Sequence, residues 1–277
     1  MILAVETSSR VGSVAIAIGP LIKAEVTFSG QMRHSAELFP AICTLLDRIG
    51  RKPQDIEQVY ISIGPGSFTG LRIAVTLAKS MHLANSAKII SVDTLDVIAS
   101  NVINLNSMSD EHQASRIELI APILDAKRGQ FYIAVYQKQK GFCHEDARSQ
   151  SKELSIKYKK DVVSFGLNGK NSCLSALVAD SGRWNKIVPD SLMTADEFLE
   201  KFACKEKPVW LLGDGLVYHK DRFKAEGVCF FDEEFWSPRA SNVHHLGWQL
   251  ALANQFENAL LLTPNYLLRP DIKIKKQ

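Results

Sequence analysis

The sequence is poor in the residues that build metal centres, disulfide frameworks and membrane spans. Its five cysteines (Cys43, Cys143, Cys173, Cys204 and Cys229) are scattered, odd in number and form no CxxC pair. A zinc site or disulfide scaffold is therefore not expected, and a reducing cytoplasm is the expected compartment. The seven histidines contain no HxxxH or HExxH pair. Only His244 and His245 adjoin, and neighbours on a helix point to different sides. No apolar run approaches the roughly 20 residues that cross a bilayer. The opening "MILAVETSS" lacks a basic flank and reads as a strand, not a signal peptide. Charge of one sign is also missing: 33 Lys and Arg against 30 Asp and Glu leave a net +3. A dedicated RNA binder concentrates its basic residues more heavily. No G-x-S-x-G elbow is present, so a hydrolase triad of that type lacks its signature.

What is present is an ordinary globular composition over 277 residues, 46% hydrophobic and 23% charged. "MILAVETSS", "VGSVAIAIG" and "LIKAEVTFSG" read as an antiparallel meander with short turns at Ser9-Arg10 and Gly19-Pro20. The helix "SAELFPAICTLLDRIG" carries a stripe of Leu38, Ile42, Leu45 and Ile49, widened by Phe39 and Leu46, and stops at Gly50. Pro40 falls in its first turn or bends it. The strand "VYISI" runs into "GPGSFTGLR" and then a helix over 69–84 that is apolar nearly all round. Strand "AKIISV" and helix "DTLDVIASNVI" follow. This order fits a mixed sheet covered by helices, an α/β arrangement of the ribonuclease-H-like type.

The polar stretch 106–115 reads as a boundary, dividing the chain into lobes at 1–108 and 109–277. After it, "IELIAPILDAKRGQFYIAVYQK" repeats the opening pattern of strand, acid, glycine turn, strand, with Asp125 matching Glu6. The repetition fits an internal duplication, although any two hairpins share such a pattern. Further on, Thr194 and Glu197 form a capping box, "PVWLLGDGL" is a strand entering a turn, and "SNVHHLGWQLALANQF" is a helix. The tail "LTPNYLLRPDIKIKKQ" reads as a strand or extended arm with a frayed end.

The loop Gly64–Arg72 invites a phosphate reading, but the spacing removes two versions of it. A Walker A loop needs glycine at 69 followed by a lysine, and Thr69 is followed by Gly70, Leu71 and Arg72. The dinucleotide fingerprint fails at the same Thr69. Two readings stay open at this point. The loop is a turn capped by Ser67 or Thr69, or its backbone N–H groups meet an anion. Candidate nucleotide or anion contacts are the strand-end acids Glu6 and Asp125.

Taken together, "ILAVETSSRVGSVAI", "RHSAELFPAI", "GPGSFTGLRIAVTLAK", "LDAKRGQFY" and "PNYLLRP" resemble the bacterial TsaB (YeaZ) family. The resemblance covers residues 1 to about 136 strongly and 137–262 weakly. It implies a two-lobed actin, sugar-kinase and Hsp70-like (ASKHA) fold built from duplicated ribonuclease-H-like lobes. It also implies a non-catalytic role in making threonylcarbamoyladenosine in tRNA, beside the TsaD transferase and the TsaE ATPase. TsaD carries an HxxxH metal motif where this chain has "VDTLDVI". The two histidine positions are Thr94 and Ile98, and Ile98 cannot bind a metal. No cofactor, metal or catalytic residue is therefore expected. Kinases of this fold use D-x-G-T in the first hairpin, and Ser8 stands at that glycine; the resemblance thus adds Ser8, with Gly213 and Gly215 at the adenosine-side turn, to the candidate nucleotide or anion contacts. The alternative is an ATPase or kinase using Glu6 and Asp125 around magnesium.

The family pairs through its two N-lobe helices, with TsaD or with a second copy. The expected contact residues are Leu38, Ile42, Leu45, Gly66, Ser67, Thr69, Gly70, Arg72, Ile73 and Leu77. Gly66 and Gly70 would let a partner approach the backbone, with Arg72 and Lys79 as a charged rim. The competing reading is that the second lobe or the final helix covers these faces.

Overall fold

The computed structural model describes residues 1–28, 34–103, 117–139 and 184–268. The expected boundary at 106–115, Cys143, Cys173 and the lysine-rich end lie outside the described residues.

The meander forms as β1 (Ile2–Glu6), β2 (Gly12–Ile18) and β3 (Leu21–Phe28). After it come α1 (His34–Arg48), β4 (Gln58–Gly64), α2 (Phe68–Asn85), β5 (Lys88–Asp93) and α3 (Thr94–Ile103). Helix α1 ends where Gly50 takes a left-handed φ of 63° and Arg51 N–H returns to the Leu46 carbonyl, the glycine stop expected of that position. Pro40 sits inside α1 rather than in its first turn. The strand order is β3-β2-β1-β4-β5, antiparallel through the meander and parallel across β1, β4 and β5.

The second half contains β6 (Leu119–Lys127), β7 (Gln130–Lys138), β8 (Trp184–Thr194) and α4 (Ala195–Phe202). It continues with β9 (Val209–Leu212), α5 (Leu216–His219), β10 (Val228–Phe230) and α6 (Ala240–Leu252). Its sheet runs β10-β9-β6-β7-β8, which read from β8 is the order of the first sheet with the same strand directions. The duplication suggested by the two opening hairpins is thus a duplication of a whole five-stranded sheet. Two strands were not legible. "WNKIVPDSLMT" contains Pro189, which a sheet accepts only at an edge, and β8 is an edge strand. The three residues of β10 are too few to show a period.

Helices α1 and α2 cover one face of the first sheet, with Leu38, Ile42, Leu45, Leu46, Ala74, Leu77 and Ala78 buried against Leu3, Val5, Val14 and Ile16. The opposite face takes α6, the last helix of the other half, through Val243, Leu246 and Leu250 against Ile2, Ala4, Ala15 and Tyr60. Helix α3 lies between the sheets. Val97 joins the cluster under α6, on the far side of the first sheet from α1 and α2, while Leu95, Ile98, Ala99, Val102 and Ile103 join the second lobe's core. Each such aliphatic side chain stabilises the fold by about 1.5–3 kcal/mol. No helix among the described residues is long and apolar enough to cross a membrane.

Candidate docking groove and the sealed acid turn

Strand β1 ends in Glu6, and its pairing with β4 runs to Val5 beside Ile61, which brings the next residue, Ser62, within hydrogen-bond reach of Glu6. Glu6 is fully buried. One carboxylate oxygen accepts from the Ser8 backbone N–H at 2.6 Å and the Ser8 hydroxyl at 2.5 Å, and the other accepts from the Ser62 hydroxyl. Burial pushes its pKa up, against the pull of these three donors. Ser8, a candidate anion contact, is spent on Glu6 instead.

The glycine loop closes this turn from above. Ser67 N–H donates to the Ser8 carbonyl at 2.7 Å, and the Thr7 hydroxyl donates to the Gly70 carbonyl at 2.8 Å. A Cβ at Gly66 would overlap the Ser8 carbonyl, and one at Gly70 would overlap the Thr7 carbonyl. The expectation that these glycines admit a partner is corrected: they admit the chain's own β1–β2 turn, which occupies the space. The space a phosphate would need at this turn is filled by backbone. Ser67 caps α2 by accepting from the Gly70 N–H at 3.3 Å, an arrangement worth about 1 kcal/mol.

In the second lobe Gly213 and Gly215 lie against the backbone of Ile123 and Asp125 rather than lining an adenosine pocket. Asp214 between them accepts from the Arg10 N–H at 3.1 Å, joining the two lobes' turns. Asp125 accepts from Lys127 N–H at 2.7 Å and Lys127 Nζ at 2.6 Å, with His219 Nε2 at 3.7 Å. Partial burial pushes Asp125 up, but the Lys127 hydrogen bonds and charge, with His219, outweigh it and leave its pKa below the usual carboxylate range. Glu6 and Asp125 therefore do not share a ligand-ready space, since Glu6 has no open side.

Deeper between the lobes lies a charge cluster that no local signal announced. Lys186 Nζ of β8 donates to Asp96 Oδ1 of α3 at 2.7 Å and pairs with Asp190, and the Tyr136 hydroxyl also donates to Asp96 at 2.5 Å. Burial lowers the lysine pKa, but Asp96, Asp190 and Asp93 outweigh it and hold the ammonium charged. Burial pushes Asp190 up to about 6. The two positions of the missing histidine pair are buried, and Ile98 belongs to the second core. Among the described residues no group of three or more His, Cys, Asp or Glu is arranged to hold a metal ion.

The outer surface of α1 and α2 differs from its expected form. Leu38, Ile42, Leu45 and Leu77 are each at most 3% exposed and are consumed by the sheet. They cannot form a contact surface, because the stripe is no wider than the sheet it covers. What remains outside is a groove of about 320 Å3 lined by Phe39, Thr69, Arg72, Ile73, Thr76 and Ser80, with Leu77 at its floor. Phe39 is 54% exposed, unusual for an aromatic ring. Of the expected contact residues, the structure brings Thr69, Arg72 and Ile73 to the walls of this groove and Leu77 to its floor.

The repeated five-stranded sheet order, with helices packed against each sheet, defines a two-lobed ASKHA protein. A family model described as "TsaD: tRNA N6-adenosine threonylcarbamoyltransferase" matches residues 24–170, more than half of the chain. The Bacillus subtilis (strain 168) protein named "tRNA threonylcarbamoyladenosine biosynthesis protein TsaB" is 27% identical over 278 residues, 99% of this chain and 96% of that one. The Escherichia coli (strain K12) protein of the same name is 29% identical over 144 residues, 52% of this chain and 58% of its own length. The solved structure "YeaZ from Pseudomonas aeruginosa" superposes with a TM-score of 0.65 over 96% of this chain and 99% of that one, at 19% identity, a likeness of fold. The chain belongs to this TsaD-type family, and within it to the TsaB (YeaZ) group.

Proposed function

We propose that the chain is a non-catalytic subunit of the cytoplasmic machinery that makes threonylcarbamoyladenosine in tRNA. The names of its relatives support the pathway. In this reading a TsaD-type transferase docks in the α1–α2 groove and a TsaE-type ATPase joins the pair. The tRNA is met through the assembled complex, and without the transferase two copies of the chain pair through the same groove. The observation that carries the reading is the contrast between the two candidate sites. The acid turn is filled by its own serines and the glycine loop, while the groove between α1 and α2 is open and apolar.

Co-purification with the TsaD-type protein of the same genome tests this. Wild type should form a stable complex. Ile73→Glu, a change at a partly exposed groove residue, should abolish it while the chain stays folded. A complex that survives Ile73→Glu would remove the groove from the account. Calorimetry with Mg-ATP tests the other half: tight binding with turnover by the isolated chain would overturn the non-catalytic assignment.

A further inference from the structure

The stretch "PNYLLRP" carries part of the family resemblance, yet the reading above gives it no task. In the structure its described part is a strap that touches three places in succession. Just before it, Ala259 and Leu262 are buried in the first core. Asn265 N–H then donates to the Ile63 carbonyl at 2.8 Å, alongside the end of β4. Gly64 permits this approach, since a Cβ there would stand 2.6 Å from the Asn265 carbonyl oxygen. Next, the Tyr266 ring packs on Phe68 with centroids 4.8 Å apart, and Leu267 and Leu268 pack on the second core. The strap thus ties the first sheet, the start of α2 and the second lobe together.

Tyr266 also contacts a residue of the groove wall. Arg72 Nε donates to its hydroxyl at 3.0 Å, and the guanidinium carbon lies 5.9 Å from the ring centre. Among the described residues no carboxylate pairs with Arg72, although it lines the groove beside Phe39, Thr69 and Ile73. An arginine left alone on a surface samples many rotamers, and ordering it on binding reduces affinity. Here the hydroxyl and the ring hold one nitrogen in place and leave the terminal fork free for a bidentate carboxylate.

We propose that Tyr266 is a positioning residue that presents the Arg72 guanidinium at the rim of the groove, and that the groove's partner is an apolar surface carrying a carboxylate that meets it. The charge argues for this occupant: the groove lining contains one cation and no acid. Because the strap is also anchored on the second lobe, the presentation of Arg72 depends on how the two lobes sit together. The inference rests on the reading that a TsaD-type transferase docks in this groove.

The test is a double-mutant cycle on the full chain, measuring affinity for that transferase with wild type, Tyr266→Phe, Arg72→Ala and the double variant. Tyr266→Phe keeps the ring on Phe68 and removes only the hydroxyl. Arg72→Ala should weaken binding about thirtyfold, as expected of an interface arginine. Tyr266→Phe should weaken it about fivefold, the size of one hydrogen bond, with an unchanged melting temperature. The double variant should bind like Arg72→Ala alone. Unchanged binding by Tyr266→Phe, or losses that multiply in the double variant, would overturn the positioning role, since either means Tyr266 does not act through Arg72. If Arg72→Ala binds normally while Ile73→Glu does not, the docking reading stands and this inference falls. If Ile73→Glu also binds normally, the docking reading itself falls.

Discussion

In the first lobe β4 stays paired with β1 up to Val5, the residue before Glu6, and the turn that follows packs on Ser8. In the second lobe β9 stops pairing at Pro122, three residues before Asp125, and its Gly-Asp-Gly turn packs on the backbone of Ile123 and Asp125. A small difference in strand length thus separates two acids that occupy matching places. Glu6 is enclosed and held above the usual carboxylate range, whereas Asp125 stays 17% exposed beside Lys127 and is held below it. The helices diverge in the same way. The longer strand launches α2, an 18-residue helix with a capped start, while the shorter one is followed by the four residues of α5. One duplicated sheet has given its turn to building a long outer helix and a groove. The other has kept its acid near the cleft. Duplicated folds diverge where the strands end, because there a residue more or less leaves the core unchanged.

The sharpest test of the lobes' joining is the charge cluster between them. Lys186→Met leaves Asp96 and Asp190 buried without their cation, and should lower stability by about 3–5 kcal/mol in urea unfolding. A loss under about 1 kcal/mol would mean that water or rearrangement already serves the aspartates. Next comes the difference in turn packing. Gly70→Ala sets a methyl into the Thr7 carbonyl and should destabilise by about 3 kcal/mol. Gly215→Ala meets its nearest atom, the Asp125 nitrogen, at 2.9 Å and should cost less. Equal losses would break the claim that Gly70 is packed more tightly than Gly215. Ser67→Ala removes the cap of α2 and should cost about 1 kcal/mol.

The smallest effect lies in the pH dependence, where the two acids have opposite signs. Because the folded pKa of Glu6 is raised, its contribution is full at acid pH and falls as pH rises through that folded value. Because that of Asp125 is lowered, its contribution is full above the ordinary carboxylate range and is lost as pH falls through the folded value. Unfolding measured across pH should therefore show a shallower decline in Glu6→Gln as pH rises above the ordinary carboxylate range, and a shallower decline in Asp125→Asn as pH falls below it. The Asp125 change should cost under about 1 kcal/mol near neutrality, as for other part-exposed ion pairs. Slopes of the same sign would show that the two acids share one environment.

Much of the architecture was visible before folding. The meander, the alternation of helices and strands, the capping box at Thr194 and Glu197, the glycine stop at Gly50 and the repeated hairpin rest on signals a few residues long. The groove was half visible. Arg72, Ile73 and Thr69 were named for the right helix, but Leu38, Ile42, Leu45 and Leu77 were placed outside when the sheet buries them. Helical periodicity says that a stripe must be covered and leaves open what covers it.

What the sequence determined by itself is therefore local: which segments form strands and helices, where they stop, and that no Walker or dinucleotide loop exists at Thr69. Tertiary structure decided the rest. It set which face of α2 stays free, that Gly70 receives Thr7 rather than a partner, and that Arg10 meets Asp214 from 204 residues away. It also put Tyr266 against Arg72, 194 residues apart. The physical reason is range. Periodicity and capping act within a turn or two of chain, while the filling of a turn or the holding of a side chain depends on atoms that only folding brings together.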